Sequence, residues 1–527
     1  MTTTATCCIY WPRVLCTAAL ISLLFIVAIR ITGITNYGTT ASFVDDVIYV
    51  DPAVTLLRSG VFAAPGIAEQ LAEKGIVGLD TSYHVTTPLN WALRAPFLAC
   101  STNIPRGKAL ADLFFLLILA VSFFLSSRLL SSGVVALYFT SLFLTYKVVG
   151  FAAPGRPDLL SAAFGLCALA CVLYSAQRSA SATWPFLTGV LCSLSLLAHQ
   201  FGGIVWTAAC LAAFAANRSA TSSRNFPLRE LVMLMIGGSL PLIAYTLFVL
   251  QDFENWCSQF FWLVELKKTL TKDAQLSLID VAKQAIFRNP VALALIFASL
   301  GVLFIGKDLM HKKMAVALVA TLVISIAWRV LSFEYYNSHY NVHFAALICL
   351  IGSLSLPSLV RVAGDVSNAA KSTVWVALLA ALLIGVVSCI HPIASVLLLP
   401  HSTAYEERRA ALEGIPIDAR VLVSCDLYFE VDRSNKMAMA HHERVDLRTF
   451  DYVVASIAQV PVAAHKDQWF DTFTMAQDSI MDESFELVRS VPSHQLGFSV
   501  PLTPAQPKTL GLFLWRQKST PSFPPGN

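Results

Sequence analysis

Eleven apolar runs constrain this chain more than any other feature. They fall at about 13–33, 109–129, 133–150, 157–177, 184–199, 201–216, 229–250, 289–306, 313–331, 342–360 and 372–399. A helix crossing a bilayer takes roughly 20 apolar residues, because backbone polar groups in lipid must be paired within the segment. The stretch 184–216 is too long for one upright helix and is read as two, divided at His199–Gln200 with Gly202 and Gly203 just beyond. The run Val14–Ile29 follows a single Arg13 and no small-x-small site comes after it, so a retained anchor helix is expected rather than a cleaved leader.

Charge separates this apolar part from the remainder. Only 13% of the chain is charged, against roughly 25% in a soluble domain. Of the 70 charged side chains (37 basic, 33 acidic), 28 lie in residues 400–527. The expected architecture is therefore an all-α polytopic membrane part over 1–399 and a small soluble α/β domain over 400–527. In the tail, 403–413 reads as an amphipathic helix stopped by Gly414, and Arg420–Ser424, Tyr452–Ser456, Phe485–Val491 and Leu510–Trp515 read as strands. A lid or cap on the outer face is the expected role. The net charge of +4 is too small for a nucleic-acid binder. The 12 cysteines form no C-x-x-C pair and fall mostly inside apolar runs, where they read as small buried hydrophobes.

Loop charges set an expected orientation. With the N-terminus inside, the short inner segments carry Arg13, Arg128, Arg178, Arg218, Arg224, Arg229, Lys307, Lys312, Lys313, Arg361 and Lys371. The outer ends carry only Arg30, Lys147, Arg156 and Arg329, as the positive-inside rule requires. An odd number of spans puts the tail outside, together with long loops over about 34–108 and 251–288. In the second of these, Phe260, Phe261, Trp262, Leu263, Val264 and Leu266 precede Lys267 and Lys268, which suits a helix in the interface plane or one packed on the bundle.

The chemistry is concentrated at the outer ends. Asp45 and Asp46 are adjacent just past the first span. Neighbouring carboxylates repel, so one holds its proton more tightly and can serve as a general base. A solvated acidic turn is the plainer alternative. The segment continues as Asp51-Pro52-Ala53, Leu56-Leu57-Arg58-Ser59-Gly60-Val61-Phe62 and Pro65. Tyr83-His84-Val85-Thr86-Thr87-Pro88-Leu89 follows, and the fourth span opens with Gly155-Arg156-Pro157-Asp158. An acid near a helix start meets the dipole favourably, but ionisable groups at membrane depth usually face the bundle interior and serve function. His199 closes the fifth span. The loop Phe333–His343, with Tyr336 and His339, is rich in hydrogen-bonding aromatics and imidazoles that suit a polyhydroxyl ligand or an interfacial belt.

This order of motifs resembles the GT-C superfamily of multispanning glycosyltransferases, nearest the glycosyltransferase family 39-like branch that holds protein O-mannosyltransferases and lipid A aminoarabinose transferases. The likeness covers about residues 13–350. It implies sugar transfer from a polyprenyl-phosphate donor to an acceptor hydroxyl on a lipid, glycan or protein, at the outer face and with inversion. Family members commonly have Asp-Glu where this chain has Asp45-Asp46, and a basic residue with two prolines where it has Thr86-Thr87-Pro88. The resemblance implies Asp45 and Asp46 as the catalytic pair. Arg156 is then the first choice to hold the leaving phosphate, with Lys147 and Arg58 behind it and Asp158, His84, His199, Tyr336 and His339 as substrate contacts. No cofactor is required, although some superfamily members hold a divalent cation such as Mg or Mn. A bacterial inner membrane with a periplasmic active site is the expected setting. The rival readings are a lipid or sugar transporter or flippase, for which no internal repeat is found, and a receptor, which leaves the membrane carboxylates unexplained.

Overall fold

The computed structural model describes residues 3–35, 44–72, 76, 78–101, 103–146, 157–177, 181–220, 228–272, 289–306, 308–331, 341–388, 401–424, 427–433, 435–439, 447–455, 483–492 and 512–519. Helix α1 (Thr3–Thr35) is followed by three short helices, α2 (Val44–Ser59), α3 (Pro65–Ala72) and α4 (Leu89–Ala99). The bundle continues with α5 (Ile104–Leu130), α6 (Gly133–Leu144), α7 (Asp158–Gln177), α8 (Thr183–Ala198), α9 (Gln200–Ala220) and α10 (Leu228–Leu250). After α11 (Phe253–Lys272) come α12 (Pro290–Ile305), α13 (Leu309–Leu331), α14 (Asn341–Val366) and α15 (Asn368–Ser388). Among the described residues, eight helices are long and apolar enough to cross a membrane, and α6, α8 and α12 are shorter apolar helices. One helix thus answers each of the eleven apolar runs, and the chain is a multi-pass membrane protein.

Local chemistry sets several of the ends. Asn103 and Asn289 each accept a backbone N–H three residues on, with Pro105 and Pro290 within the first two helical positions, so α5 and α12 begin with a capped first turn. The run 184–216 breaks at His199, whose backbone is extended (φ −155°, ψ 120°) between α8 and α9.

Hydropathy alone does not sort the spans by position. Helices α10 and α14 have mean hydropathies of 2.0 and 1.9, yet 11% of the most apolar stretch of α10 is buried against 67% of that of α14. Lipid tails and protein interior are equally apolar, so only packing separates a perimeter helix from a central one. Around α14 the core includes Phe123 stacked on Phe143 at 4.7 Å, and the Tyr138 hydroxyl donates to the Leu378 carbonyl at 3.0 Å.

The tail begins with α16 (His401–Leu412) and forms one five-stranded sheet from β1 (Val421–Ser424), β2 (Lys436–Met439), β3 (Tyr452–Ala455), β4 (Phe485–Val491) and β5 (Leu512–Gln517). The strand order is β2-β1-β3-β5-β4, with β2, β1 and β3 parallel and β5 antiparallel to both β3 and β4. Four of these strands match sequence expectations. The fifth, Lys-Met-Ala-Met, lacks the β-branched and aromatic residues that would mark it as a strand.

The sheet shares a hydrophobic core with the first loop. Val47, Val50, Val54 and Ile67 pack in one cluster with Val421, Val423, Tyr428, Val431 and Val454. A buried polar joint crosses this interface. The Asp51 carboxylate accepts from the Tyr428 hydroxyl at 3.1 Å and from the Gly66 N–H at 3.3 Å. A Cβ at position 66 would sit 2.1 Å from the Tyr428 oxygen, so glycine is needed for the approach. Lys436 donates to the Tyr428 and Val431 carbonyls, each at 2.7 Å, with its ammonium 4.1 Å from the Tyr428 ring centroid. Burial pushes the Asp51 carboxyl up from its ordinary value, and pushes Lys436 down to about 8.

Candidate functional site

Asp158 starts α7, His199 joins α8 to α9, and His343 lies in the first turn of α14, so three helix ends meet at one end of the bundle. Asp158 and His343 are fully buried, and the His199 side chain is 14% exposed. His199 Nδ1 stands 3.7 Å from Asp158 Oδ1, and the two imidazoles lie nearly parallel with centroids 6.4 Å apart. Behind them, the Trp206 indole N–H donates to His343 Nδ1 at 3.0 Å. Serines hold α7 to α8. Ser161 Oγ donates to the Ser195 carbonyl at 2.9 Å, and Ser195 Oγ donates back to the Ser161 carbonyl at 2.8 Å. Thr87, from the Tyr-His segment, donates to the Leu197 carbonyl and ties the first loop to the same helix end.

The opposite end has a different chemistry. A cavity of about 660 Å³ there is lined by Ser131, His311, Arg361, Asp365, Lys371 and Trp375, among others. Arg361 near the end of α14 and Lys371 in the first turn of α15 therefore lie together, most of the length of α14 away from the Asp158 cluster.

His84 is buried in the first loop. Its Nε2 lies 3.1 Å from the Asp252 carboxylate, and its backbone N–H donates to Gln259 Oε1 at 2.6 Å. Burial raises the Asp252 pKa, but hydrogen bonds with Ser82, Asn255 and His84 outweigh it and hold the carboxyl below its ordinary value. Helix α11, which supplies Gln259, packs Trp262 against the first loop and leaves Phe253 and Phe261 exposed. Arg58 pairs with Asp432 of the tail at 2.7 Å, both side chains largely in solvent.

The acidic pair Asp45–Asp46 lies in the first turn of α2, and the side chains of both residues are outside the described set. Lys147, Arg156, Tyr336 and His339 also lie outside the described residues. The structure brings together Asp158 and His199 from the sequence reading and places Arg58 and His84 elsewhere, at the first loop's contacts with the tail and α11. It adds His343, which the sequence reading left in a loop and which instead forms a buried helix turn. It also adds Trp206, which reads in sequence as one more core aromatic. The buried pair of Arg94 and Asp112, at 2.8 Å with the guanidinium 4.9 Å from the Phe115 ring centroid, was also missed.

Asp158, His199 and His343 can each offer one ligand atom, and these atoms lie within 4.8 Å of one another. A divalent cation therefore has a candidate set, although two imidazoles suit zinc-class ions better than Mg. The fit carries a condition. Trp206 can only donate, so Nδ1 of His343 must accept and Nε2 must bear the proton. His343 joins a metal through Nε2 only by giving up the Trp206 bond.

No protein-family model matches the chain, and no curated protein matches it. Solved structures do. ArnT from Cupriavidus metallidurans, in the apo state and bound to undecaprenyl phosphate, aligns with a TM-score of 0.53 at 12% identity, over 93% of this chain and 97% of that one. An oligosaccharyltransferase from Archaeoglobus fulgidus, in complex with Zn and sulfate, aligns at 0.45 and 14% identity, over 83% and 68%. At such identities the likeness concerns architecture, and it spans nearly the whole of both chains in the ArnT case. The chain shares the fold of ArnT.

Proposed function

We propose that this protein is a membrane glycosyltransferase that moves a sugar from a polyprenyl-phosphate carrier to an acceptor hydroxyl, with inversion, at the end of the bundle where Asp158 lies. One observation carries the reading: a fold shared with ArnT along 93% of this chain, ArnT being a protein also solved with undecaprenyl phosphate bound. The location of the motifs supports it. Helix α2, which begins with the acidic pair, shares a core with α4 through Val47 and Trp91. Leu89 of α4 packs in turn on Leu160 of α7 and Ala198 of α8.

In this reading Asp45 takes the proton from the attacking hydroxyl while Asp46 orients the acceptor or tunes its neighbour. Arg156 grips the departing phosphate, a role suited to a planar guanidinium. Lys147 and Arg58 are secondary cations. Asp158 and His199 contact the substrate, with Tyr336 and His339 from the stretch of sequence ahead of α14, and His84 braces the first loop. A bound divalent cation would supply charge stabilisation beside Asp158 and His199. The prenyl chain lies against apolar helices, in a bacterial inner membrane with the site and tail periplasmic. The acceptor is a lipid, glycan or protein hydroxyl.

The test is direct. Purified protein in lipid, given undecaprenyl-phosphate mannose, releases undecaprenyl phosphate, and Asp45→Asn abolishes the release while expression is unchanged. Full turnover by that variant removes Asp45 as the base. Movement of labelled lipid between leaflets without cleavage makes the protein a transporter.

A further inference from the structure

His343 has one nitrogen accounted for and one left over. The Trp206 N–H occupies Nδ1 at 3.0 Å. An indole nitrogen is a donor with no acceptor capacity, so this bond requires a bare lone pair at Nδ1. That lone pair exists only in the neutral ring protonated at Nε2. Nε2 is buried and finds no hydrogen-bond partner among the described residues. It faces the first turn of α9, where a Cβ at Gly202 would stand 2.6 Å from Nε2 and 2.4 Å from Ser161 Oγ. The absent side chain at Gly202 is what lets the imidazole and the serine both reach this point. A buried donor without an acceptor is costly, and Asp158 and His199 lie beside it.

Distances indicate what could complete the site. Ligand atoms around a tetrahedral zinc stand about 3.4 Å apart, given bonds near 2.0–2.2 Å. His199 Nδ1 and Asp158 Oδ1 are 3.7 Å apart, wider than that. Asp158 and His343 each bring a ligand atom to one cluster, near enough for a single small polar group to bridge a carboxylate and an imidazole. A carboxylate accepts and an imidazole N–H donates. A hydroxyl, which can do both, suits the two together, whereas a phosphate would meet the Asp158 charge.

We propose that His343, set by Trp206 as a neutral imidazole with its proton on Nε2, donates a hydrogen bond to the oxygen of a substrate hydroxyl whose own O–H is hydrogen-bonded to Asp158. His343 is then a substrate-binding residue and Trp206 a positioning residue acting through it. The identity of the hydroxyl as a substrate's rests on the glycosyltransferase reading, while the tautomer does not. The hydroxyl comes from the carried sugar or from the acceptor.

The experiment uses the whole protein in lipid nanodiscs with ¹⁵N-labelled histidine rings, the His343 signals being assigned by their loss in His343→Gln. At pH 7, wild type shows a neutral His343 protonated at Nε2, and Trp206→Phe, which keeps the aromatic bulk, gives a mixture of tautomers. A ring protonated at Nδ1, or at both nitrogens, overturns the proposal. Adding undecaprenyl-phosphate mannose moves the Nε2 signal if the sugar supplies the hydroxyl. If the acceptor supplies it, the signal moves only when a sugar alcohol such as mannitol is added as well. No movement with both present overturns the proposal. The first case predicts that His343→Ala raises the donor KM about tenfold, the second that it slows transfer to mannitol about tenfold at unchanged donor KM, and His343→Gln, which keeps an N–H, recovers most of either loss. One equivalent of zinc retained by wild type and lost in His343→Gln makes the residue a ligand and also overturns it. Absence of undecaprenyl phosphate release from wild type defeats the glycosyltransferase reading separately, and the NMR arms still decide the proposal.

Discussion

Asp51 and Asp158 are both carboxylates with almost no exposed surface, 3% and 0% respectively, in very different company. Asp51 has a partner on each oxygen: the Tyr428 hydroxyl on Oδ1 and the Gly66 N–H on Oδ2. Its surroundings are an interface between a loop and a sheet, closed by apolar packing. Asp158 sits where three helix ends converge, beside His199 and a histidine whose remaining N–H has no acceptor among the described residues. A carboxylate satisfied by its own fold acts as a fastener. One placed next to an unused donor is arranged for something that arrives. The difference teaches that burial alone does not mark a functional acid in this protein, whereas the unspent hydrogen-bonding capacity around it does.

Substitution should separate the two most sharply at Asp158. Asp158→Asn keeps the volume and removes the charge. On the proposed function it lowers undecaprenyl phosphate release by about a hundredfold or more, within the range expected for a group acting at the reacting centre, while the unfolding midpoint moves little. A large fall in the midpoint with turnover preserved in the folded fraction would make Asp158 a second fastener and erase the contrast.

Asp51→Ala should do the reverse. It strands the Tyr428 hydroxyl and leaves Lys436 buried without its nearest compensating charge, so about 2–4 kcal/mol of stability is expected to go. Activity per folded molecule should survive unless the loop shifts and takes α2 with it. Tyr428→Phe is milder, about 1 kcal/mol, because Asp51 keeps the Gly66 bond. Thermal unfolding of the detergent-solubilised protein, followed alongside turnover, checks both.

How much of this was legible beforehand follows from the range of each signal. The spans are local, and each apolar run predicts its own helix. Even the division at His199 was readable, because Gln200, Gly202 and Gly203 interrupt the run. The placement of α14 inside and α10 outside was not, since their hydropathies are nearly equal. The motif acids and Asp158 stand out because charge at membrane depth is rare. Their partners do not. Tyr428 is 377 residues from Asp51 and Trp206 is 137 from His343, and a single sequence carries no signal across such separations. Asp51 was visible only as part of an Asp-Pro-Ala string. Strand β2, Lys-Met-Ala-Met, was hidden because it has none of the β-branched or aromatic residues that mark β1 and β3.

The joint around Asp51 also makes a prediction in pH that the Asp158 cluster does not. Lys436 is held at about 8 against an ordinary 10.5. Between those values the unfolded chain binds more protons at this position than the folded one, so the contribution of Lys436 to stability rises with pH across that window. The cost of burying the charge is fully present below about 8. The unfolding midpoint of wild type relative to Lys436→Met should therefore climb from pH 8 towards 10.5. A flat difference would mean that the ammonium is better solvated than the packing around Tyr428 and Phe429 indicates.

The smallest effect is expected where the same interface reaches solvent. Arg58 and Asp432 are 2.7 Å apart, but their side chains are 46% and 81% exposed. Solvent screening leaves such a pair about 0.5 kcal/mol or less. Asp432→Asn should thus shift the unfolding midpoint barely, and 0.5 M salt should remove what shift there is. The same variant also frees Arg58, the cation of the Leu-Leu-Arg-Ser-Gly segment, from its carboxylate. If Arg58 serves the leaving phosphate as a secondary cation, release of undecaprenyl phosphate rises modestly in Asp432→Asn and falls in Arg58→Ala. Equal activity in wild type and both variants would confine Arg58 to the surface of the joint, with Asp51 doing the fastening beneath it.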